Sequence, residues 1–290
     1  MPDPEAGPAL GEMAAVSGCI SNGANALMWR AVVGSVPYSR IDSPILVLRE
    51  ARMHLQDLQK NWDRMGSEDP LWAIVTAPRY KGGKWDPDAF FESGRDQIAG
   101  VMEHAESLGQ SPRGAAFDFG CGVGRLSQAM AEYFDSVTGV DIAPSMIAEA
   151  HARNQHGDKV TYVRNERADL SCFADKSFDF IYTEITLIHM EPRYSMAYIA
   201  EFFRIGRPGG LVIFHVVDPT PRQKMRDRLP RSLVYLGNRL RTIRRPMMEI
   251  YGVDRQAIED IVLHADGRMI EVQEWVNEGR TERRYWALVG

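Results

Sequence analysis

A glycine-rich turn between an apolar strand and an amphipathic helix constrains this chain more than any other feature. The turn reads Phe117-Asp118-Phe119-Gly120-Cys121-Gly122-Val123-Gly124-Arg125. The apolar run Ala115–Phe119 predicts a strand, and the pattern over 125–134 predicts a helix. Glycine has no Cβ and accepts positive φ, so here a backbone can press against a nucleotide-like ligand. The spacing is GxGxG, and alone it is weak. The strand that follows strengthens it, because it ends in Asp141. A carboxylate there accepts two hydrogen bonds from vicinal ribose hydroxyls, which no neutral side chain matches. The plainer alternative is a tight turn plus a solvated acid.

Strand and helix patterns then alternate, the signature of a parallel sheet with crossovers. The expected strands are 115–119, 136–140, 160–164, 178–183 and 210–217. The expected helices are 125–134, 144–154 and 192–205, with Pro144 suited to a first turn. A later helix over 254–265 stops before Gly267. Two β-like runs, Met269–Val276 and Arg283–Val289, flank Asn277-Glu278-Gly279 and predict a C-terminal hairpin. Upstream, residues 88–109 read as a helix. Residues 45–65 read as an amphipathic one, with Leu48, Met53, Leu55, Leu58, Trp62 and Met65 near helical spacing. Between them, Trp72, Tyr80, Trp85, Phe90 and Phe91 lie in a Gly- and Pro-containing stretch. Each serves either as a cover over the ligand site or as plain packing. The expected division is a tail at 1–43, a helical and aromatic cap at 44–87, and one α/β domain at 88–290.

The chain has 290 residues, a 44% hydrophobic fraction and a formal charge of −5. It can bury a core, and it gives no global reason to expect nucleic-acid binding. Cys19, Cys121 and Cys172 are far apart and odd in number, so no disulfide framework or zinc spacing is visible. A reducing cytoplasm is the default expectation. The start MPDPEAGPAL lacks the basic opening of a secretory signal, and no unbroken apolar run is long enough for a transmembrane helix.

Four blocks together resemble the class I S-adenosylmethionine-dependent methyltransferases: AFDFGCGVGRLSQAMA, VTGVDIAPSMIAEA, FDFIYTEITLIHM and RIGRPGGLVIF. They cover roughly residues 114–217, in the family's order. A dinucleotide-binding dehydrogenase is the competitor, but its fingerprint is GxGxxG facing a pyrophosphate. A carboxylate at Asp118 would repel a pyrophosphate and would suit the cationic amino end of S-adenosylmethionine, directly or through water.

The resemblance implies a Rossmann-like, mostly parallel sheet with an antiparallel C-terminal hairpin and an N-terminal helical extension. It implies S-adenosyl-L-methionine as the methyl donor and no metal. Gly120, Cys121 and Gly122 would run under the donor's ribose and methionine end, and Asp118 would help place the amino group. Asp141 would hold the ribose hydroxyls, with Ile142 packing on the adenine. Arg125, Met146 and Thr183 complete the implied donor site. For the adenine edge, VRNERADL offers Asn165, Glu166 and Asp169, and Asp169 with Leu170 is the first choice. After the fourth strand, His189 and Glu184 are candidate bases. His189 alternatively holds its loop by a backbone hydrogen bond, and Glu184 is alternatively a partly exposed strand-end charge. Arg204 and Arg207 belong to the family's turn, and His215 is either acceptor-facing or a core histidine.

The stretch 220–246 carries eight Arg and one Lys against a single acid, Asp227. It is a solvated helical pair, a lid for an anionic or sugar-phosphate acceptor, or a membrane-surface element for a lipid-linked one. The expected activity is methyl transfer to a small molecule, on a hydroxyl of a sugar or secondary metabolite. The alternatives are N- or C-methylation of a metabolite, a macromolecular methyltransferase, or a non-catalytic binding protein.

Overall fold

The computed structural model describes residues 44–221, 223 and 248–290, with side chains from Leu55 onward. The expected tail at 1–43 lies outside these residues. So does the basic stretch 220–246, apart from Thr220, Pro221 and Gln223.

Helix starts follow the prolines. Helices α1 (Pro44–Glu68), α2 (Pro70–Ile74), α3 (Pro87–Ser107), α5 (Pro144–Ala152) and α6 (Pro192–Ile205) each open on proline. Proline is suited there because its missing N–H would have no partner in a first turn. Asp86 also caps α3 by accepting the Ala89 N–H at 2.9 Å. Helices α4 (Arg125–Met130) and α7 (Arg255–His264) do not open on proline, and α7 is capped by Asp254.

The strands are β1 (Ala115–Phe119), β2 (Ser136–Asp141), β3 (Val160–Arg164), β4 (Phe178–Thr183), β5 (Gly206–Val217), β6 (Arg268–Asn277) and β7 (Arg280–Leu288). They form one sheet in the order β3-β2-β1-β4-β5-β7-β6. The pairs from β3 through β5 are parallel, and β7 joins β5 and β6 antiparallel. The β6–β7 turn is Glu278-Gly279, both at positive φ, as a two-residue hairpin requires. This is the α/β fold expected from the sequence. Strand β5 begins earlier than its apolar run suggested, at Gly206, where it pairs with Phe178.

Helices cover both faces, so the central strands are apolar on both sides. Phe117, Phe119, Ile181, Val212 and Phe214 pack with Tyr198, Ile199 and Phe202 of α6 and Ile258 and Val262 of α7. On the other face, Ala116, Phe180, Tyr182 and Ile213 pack with Ile98, Val101 and Met102 of α3 and Met130 of α4. A bulge lies between Phe178 and Phe180. The extra residues lie on β5, between Gly206 and Leu211, and Phe178 and Phe180 themselves pack in opposite layers. Among the described residues, no helix is long and apolar enough to cross a membrane.

The order reverses between β1 and β4: the chain runs outward from β1 to β2 and β3, then returns to the other side. A crevice opens outside the carboxyl ends of strands at such a point. Helix α1 lies across it, held to the start of α5. Asp63 Oδ1 accepts the Ser145 N–H at 2.8 Å, and the Asp63 carbonyl accepts from Ser145 Oγ at 2.9 Å.

Candidate active site

The crevice is a cleft lined by the ends of β1, β2 and β4 and roofed by the N-terminal helices. Gly120, Gly122, Asp141, Ile142, Met146 and Asn165 line one part of it. Glu184, Ile185, Thr186, His189 and Met190 line another, and Leu55, Leu58, Trp62 and Ile74 close over it.

The glycine loop is shaped by its backbone. Gly120, Gly122 and Gly124 all have positive φ. Gly120 and Gly122 present bare backbone to the cleft. Thr186 and Ile74 sit so close to them that a Cβ at either position would collide. Gly124 is different: it opens α4 and packs under the Tyr162 ring, away from the cleft. Asp141 fixes the loop from the side. Its Oδ2 accepts the Gly122 N–H at 3.0 Å, and its Oδ1 accepts the Ala143 N–H at 2.8 Å. Burial pushes the Asp141 carboxyl up, and the Ala143, Gly122 and Ile142 N–H groups work against that.

Asp118 lies behind the loop, 2% exposed, with its Oδ2 accepting from Ser127 Oγ at 2.6 Å. Desolvation raises its pKa to about 6, opposed by the Ser127 hydrogen bond and the Arg125 charge. Cys121 is a free, buried thiol. Arg125 donates to Ser93 Oγ and Gln97 Oε1, towards α3. Thr183 is buried and donates to the Phe119 carbonyl at 2.8 Å. These four residues support the loop and the strand ends rather than line the cleft.

The region after β3 departs from the sequence expectation. Asp169 and Leu170 do not line the cleft. The Asp169 carboxylate is taken by Arg167 and Ser171. Leu170 is fully buried and donates its N–H to Glu201 Oε2 at 2.9 Å. Glu166 points outward to Arg164 and Gln59. Asn165 lines the cleft instead, because its side-chain amide folds back onto the Arg167 and Asp169 carbonyls and coils the loop around it.

Two candidate bases do reach the cleft, in different states. Glu184 accepts from Tyr182 Oη at 2.8 Å and from Arg284 Nη2 and Nε at 3.0 and 3.2 Å. Both its oxygens are therefore engaged. His189 sits in the 3₁₀ turn Leu187–His189, edge-on to Trp62 at 5.2 Å. Its Nδ1 is 2.8 Å from the Glu249 carbonyl. A carbonyl only accepts, so Nδ1 carries the proton and Nε2 keeps its lone pair. Burial lowers the His189 pKa and keeps the ring neutral near pH 7. His215 does not line the cleft: it is buried, 3.1 Å from Glu282 and stacked on Trp275.

Of the aromatic stretch, Phe90 is core, Tyr80 stacks on Trp85, and Trp72 and Trp85 donate to the Ala77 and Val75 carbonyls. These aromatics are packing. Of the N-terminal residues that line the cleft, Leu55, Leu58 and Trp62 carried no signal beyond helical spacing, and Ala73, Ile74 and Thr76 carried none.

The sheet order and the cleft at its switch point define a Rossmann-like methyltransferase fold. Residues 117–214 match the family described as Methyltransferase domain. The chain is 28% identical over 145 residues to a ubiquinone biosynthesis O-methyltransferase of Nitrosospira multiformis, covering 48% of this chain and 57% of that one. It is 35% identical over 116 residues to phosphoethanolamine N-methyltransferase 1 of Arabidopsis thaliana, covering 39% and 23%. The chain thus spans about half or less of the length of such curated relatives. Among solved structures, magnesium protoporphyrin IX methyltransferase from Synechocystis, with bound S-adenosylhomocysteine, shares the fold. Its TM-score is 0.55 at 19% identity, over 80% of this chain and 98% of that one. The match to the methyltransferase-domain family is confined to residues 117–214, and the likeness to the solved structure is one of fold.

Proposed function

We propose that this protein transfers a methyl group from S-adenosylmethionine to a hydroxyl of a small molecule, a sugar or secondary metabolite. The observation that carries this is His189: a neutral imidazole with its tautomer fixed, in the same cleft as the glycine loop and Asp141. The residues fit the donor. Gly120 and Gly122 offer bare backbone, Asp141 offers a carboxylate for the ribose hydroxyls, and Ile142 and Met146 offer apolar contact for an adenine. Asn165, which lines the cleft where Asp169 and Leu170 do not, meets the adenine edge. Asp118 acts through the loop on the donor's amino group.

When bound, the donor supplies a methyl group on a sulfonium sulfur. An acceptor hydroxyl taking that methyl would have to give up its proton, and the chain's part would be to hold the donor in line with it and receive that proton. His189 Nε2 takes the proton the hydroxyl gives up, so the product leaves neutral. Nδ1–H, donated to Glu249, holds the ring in place as it charges. Glu184, engaged by Tyr182 and Arg284, positions this turn rather than accepting the proton.

The test is His189→Gln. S-adenosylhomocysteine affinity should hold within about twofold, while kcat falls by about 10²–10⁴-fold, the range for loss of a general base. The wild-type kcat profile should stay flat from pH 8 to below 6.5, since the base loses activity only below its lowered pKa. An unchanged kcat, or loss of folding in step with loss of rate, contradicts the assignment.

A further inference from the structure

Between the clamped Glu184 and the 3₁₀ turn lies a residue in an uncomfortable state. Ile185 has φ +56, in the left-handed region. A β-branched side chain is a genuine outlier there. Lys176, Asp266 and Glu278 also have positive φ among the described non-glycine residues, but none of them is β-branched. Nor is Ile185 rewarded by burial: it is 52% exposed.

Its neighbours impose the conformation. Glu184 is gripped by Tyr182 and Arg284 on the strand side. Thr186 is seated against the bare Gly120 backbone and donates to the Glu184 carbonyl at 3.1 Å. Leu187, next along, is fully buried. Between these anchors the Ile185 side chain lies on the cleft wall. Strain held by surroundings that over-determine it is a mark of a working position. The wall it joins is apolar: Trp62, Met190 and Met248 line the same cleft as His189.

We propose that Ile185 is a specificity-determining contact for the acceptor, and that the acceptor presents an apolar, uncharged face beside the hydroxyl that is methylated. This deepens the methyl-transfer reading and rests on it. It selects the apolar hydroxyl compounds over the sugars. An exposed isoleucine on the wall gains contact only when an apolar surface covers it, and a sugar face would leave its own hydroxyls unpaired against Ile185, Trp62 and the two methionines. No step is added to the chemistry: the same bond forms and breaks, and the proton still goes to His189.

The experiment compares the full-length wild type with Ile185→Asn and Ile185→Gly, since both replacements tolerate positive φ. Three quantities are read: the unliganded melting temperature, S-adenosylhomocysteine affinity, and affinity for 2-naphthol with S-adenosylhomocysteine at saturation. Methyl α-glucoside serves as the polar comparison. Both variants should melt about 2–4 °C higher, through release of strain. S-adenosylhomocysteine should bind within twofold of wild type. Affinity for 2-naphthol should fall about tenfold or more, the scale of one lost isoleucine contact.

Several results overturn the proposal. One is lower melting temperatures in both variants, which would make Ile185 a packing residue. Another is unchanged 2-naphthol affinity. A third is a wild type that binds methyl α-glucoside better than 2-naphthol, or binds neither. Failure of the wild type to bind S-adenosylhomocysteine is a separate outcome, and it overturns the donor reading itself.

Discussion

Asp141→Ala is expected to weaken S-adenosylhomocysteine binding by roughly 2–4 kcal/mol, about 30- to 1000-fold. Two losses combine. The carboxylate at the end of β2 no longer accepts from the ribose hydroxyls. The Gly122 and Ala143 N–H groups, which it holds at 3.0 and 2.8 Å, also lose their acceptor, and the glycine loop loses its side support. A second ligand separates the two parts. S-adenosylhomocysteine lacking the ribose 2′-hydroxyl should bind wild type clearly less tightly than the parent compound. The Asp141→Ala protein should not distinguish them. If the variant discriminates between the two ligands as strongly as wild type, Asp141 supports the loop but does not hold the ribose.

Asp118→Asn is expected to make the unliganded protein more stable and a poorer binder. The folded protein keeps the Asp118 proton up to about pH 6, whereas an ordinary carboxyl releases it near 3.8. From the lower value upward the unfolded chain binds fewer protons, so wild-type stability falls as pH rises through that window. At pH 8 the cost of keeping this carboxylate ionised and buried is roughly 3 kcal/mol. Asparagine fills the same space, can still accept from Ser127, and removes that cost. The variant should therefore melt higher than wild type at pH 8, and the two should converge near pH 4.

Affinity should move the other way. A nearby ammonium group favours ionised Asp118, so wild-type S-adenosylhomocysteine binding should weaken as pH drops below about 6. The asparagine protein should bind more weakly, with little pH dependence between 5 and 8. A melting difference that does not change with pH, or a variant that binds as well as wild type, contradicts this. A carboxylate that destabilises the free fold and is needed when a cation arrives is the stability–activity trade-off in one residue.

The glycine loop and the acid beside it were legible because they are local. The turn from β1 to α4 and the acid ending β2 are short-range patterns, and their chemistry follows from missing Cβ atoms and one carboxylate. The hairpin was legible for the same reason: two β-like runs flank Asn277-Glu278-Gly279, and the structure turns there with Glu278 and Gly279 at positive φ. The β5 start was not, because Gly206-Arg207-Pro208-Gly209-Gly210 looks like a turn, and only its pairing with Phe178 across a bulge makes it strand.

The wall of the cleft formed by Glu184 and Trp62 depends on contacts distant in sequence. In sequence Glu184 is a candidate base or a strand-end charge, and its partner Arg284 lies one hundred positions later. Trp62 looked like one more apolar position on an amphipathic helix, but the Asp63–Ser145 contact swings that helix across the cleft. That Asn165 and not Asp169 lines the cleft turns on a local detail, the asparagine side chain coiling its own loop. Ile185 carried no sequence signal, because left-handed backbone is not expected of isoleucine.

The central claim is that the glycine loop and Asp141 hold a methyl donor. Calorimetric titration of the pure, full-length protein with S-adenosylhomocysteine tests it most directly. The account predicts one site per chain with micromolar affinity, and a higher melting temperature for the complex. A folded protein that gives neither binding heat nor a melting shift at millimolar ligand would contradict it.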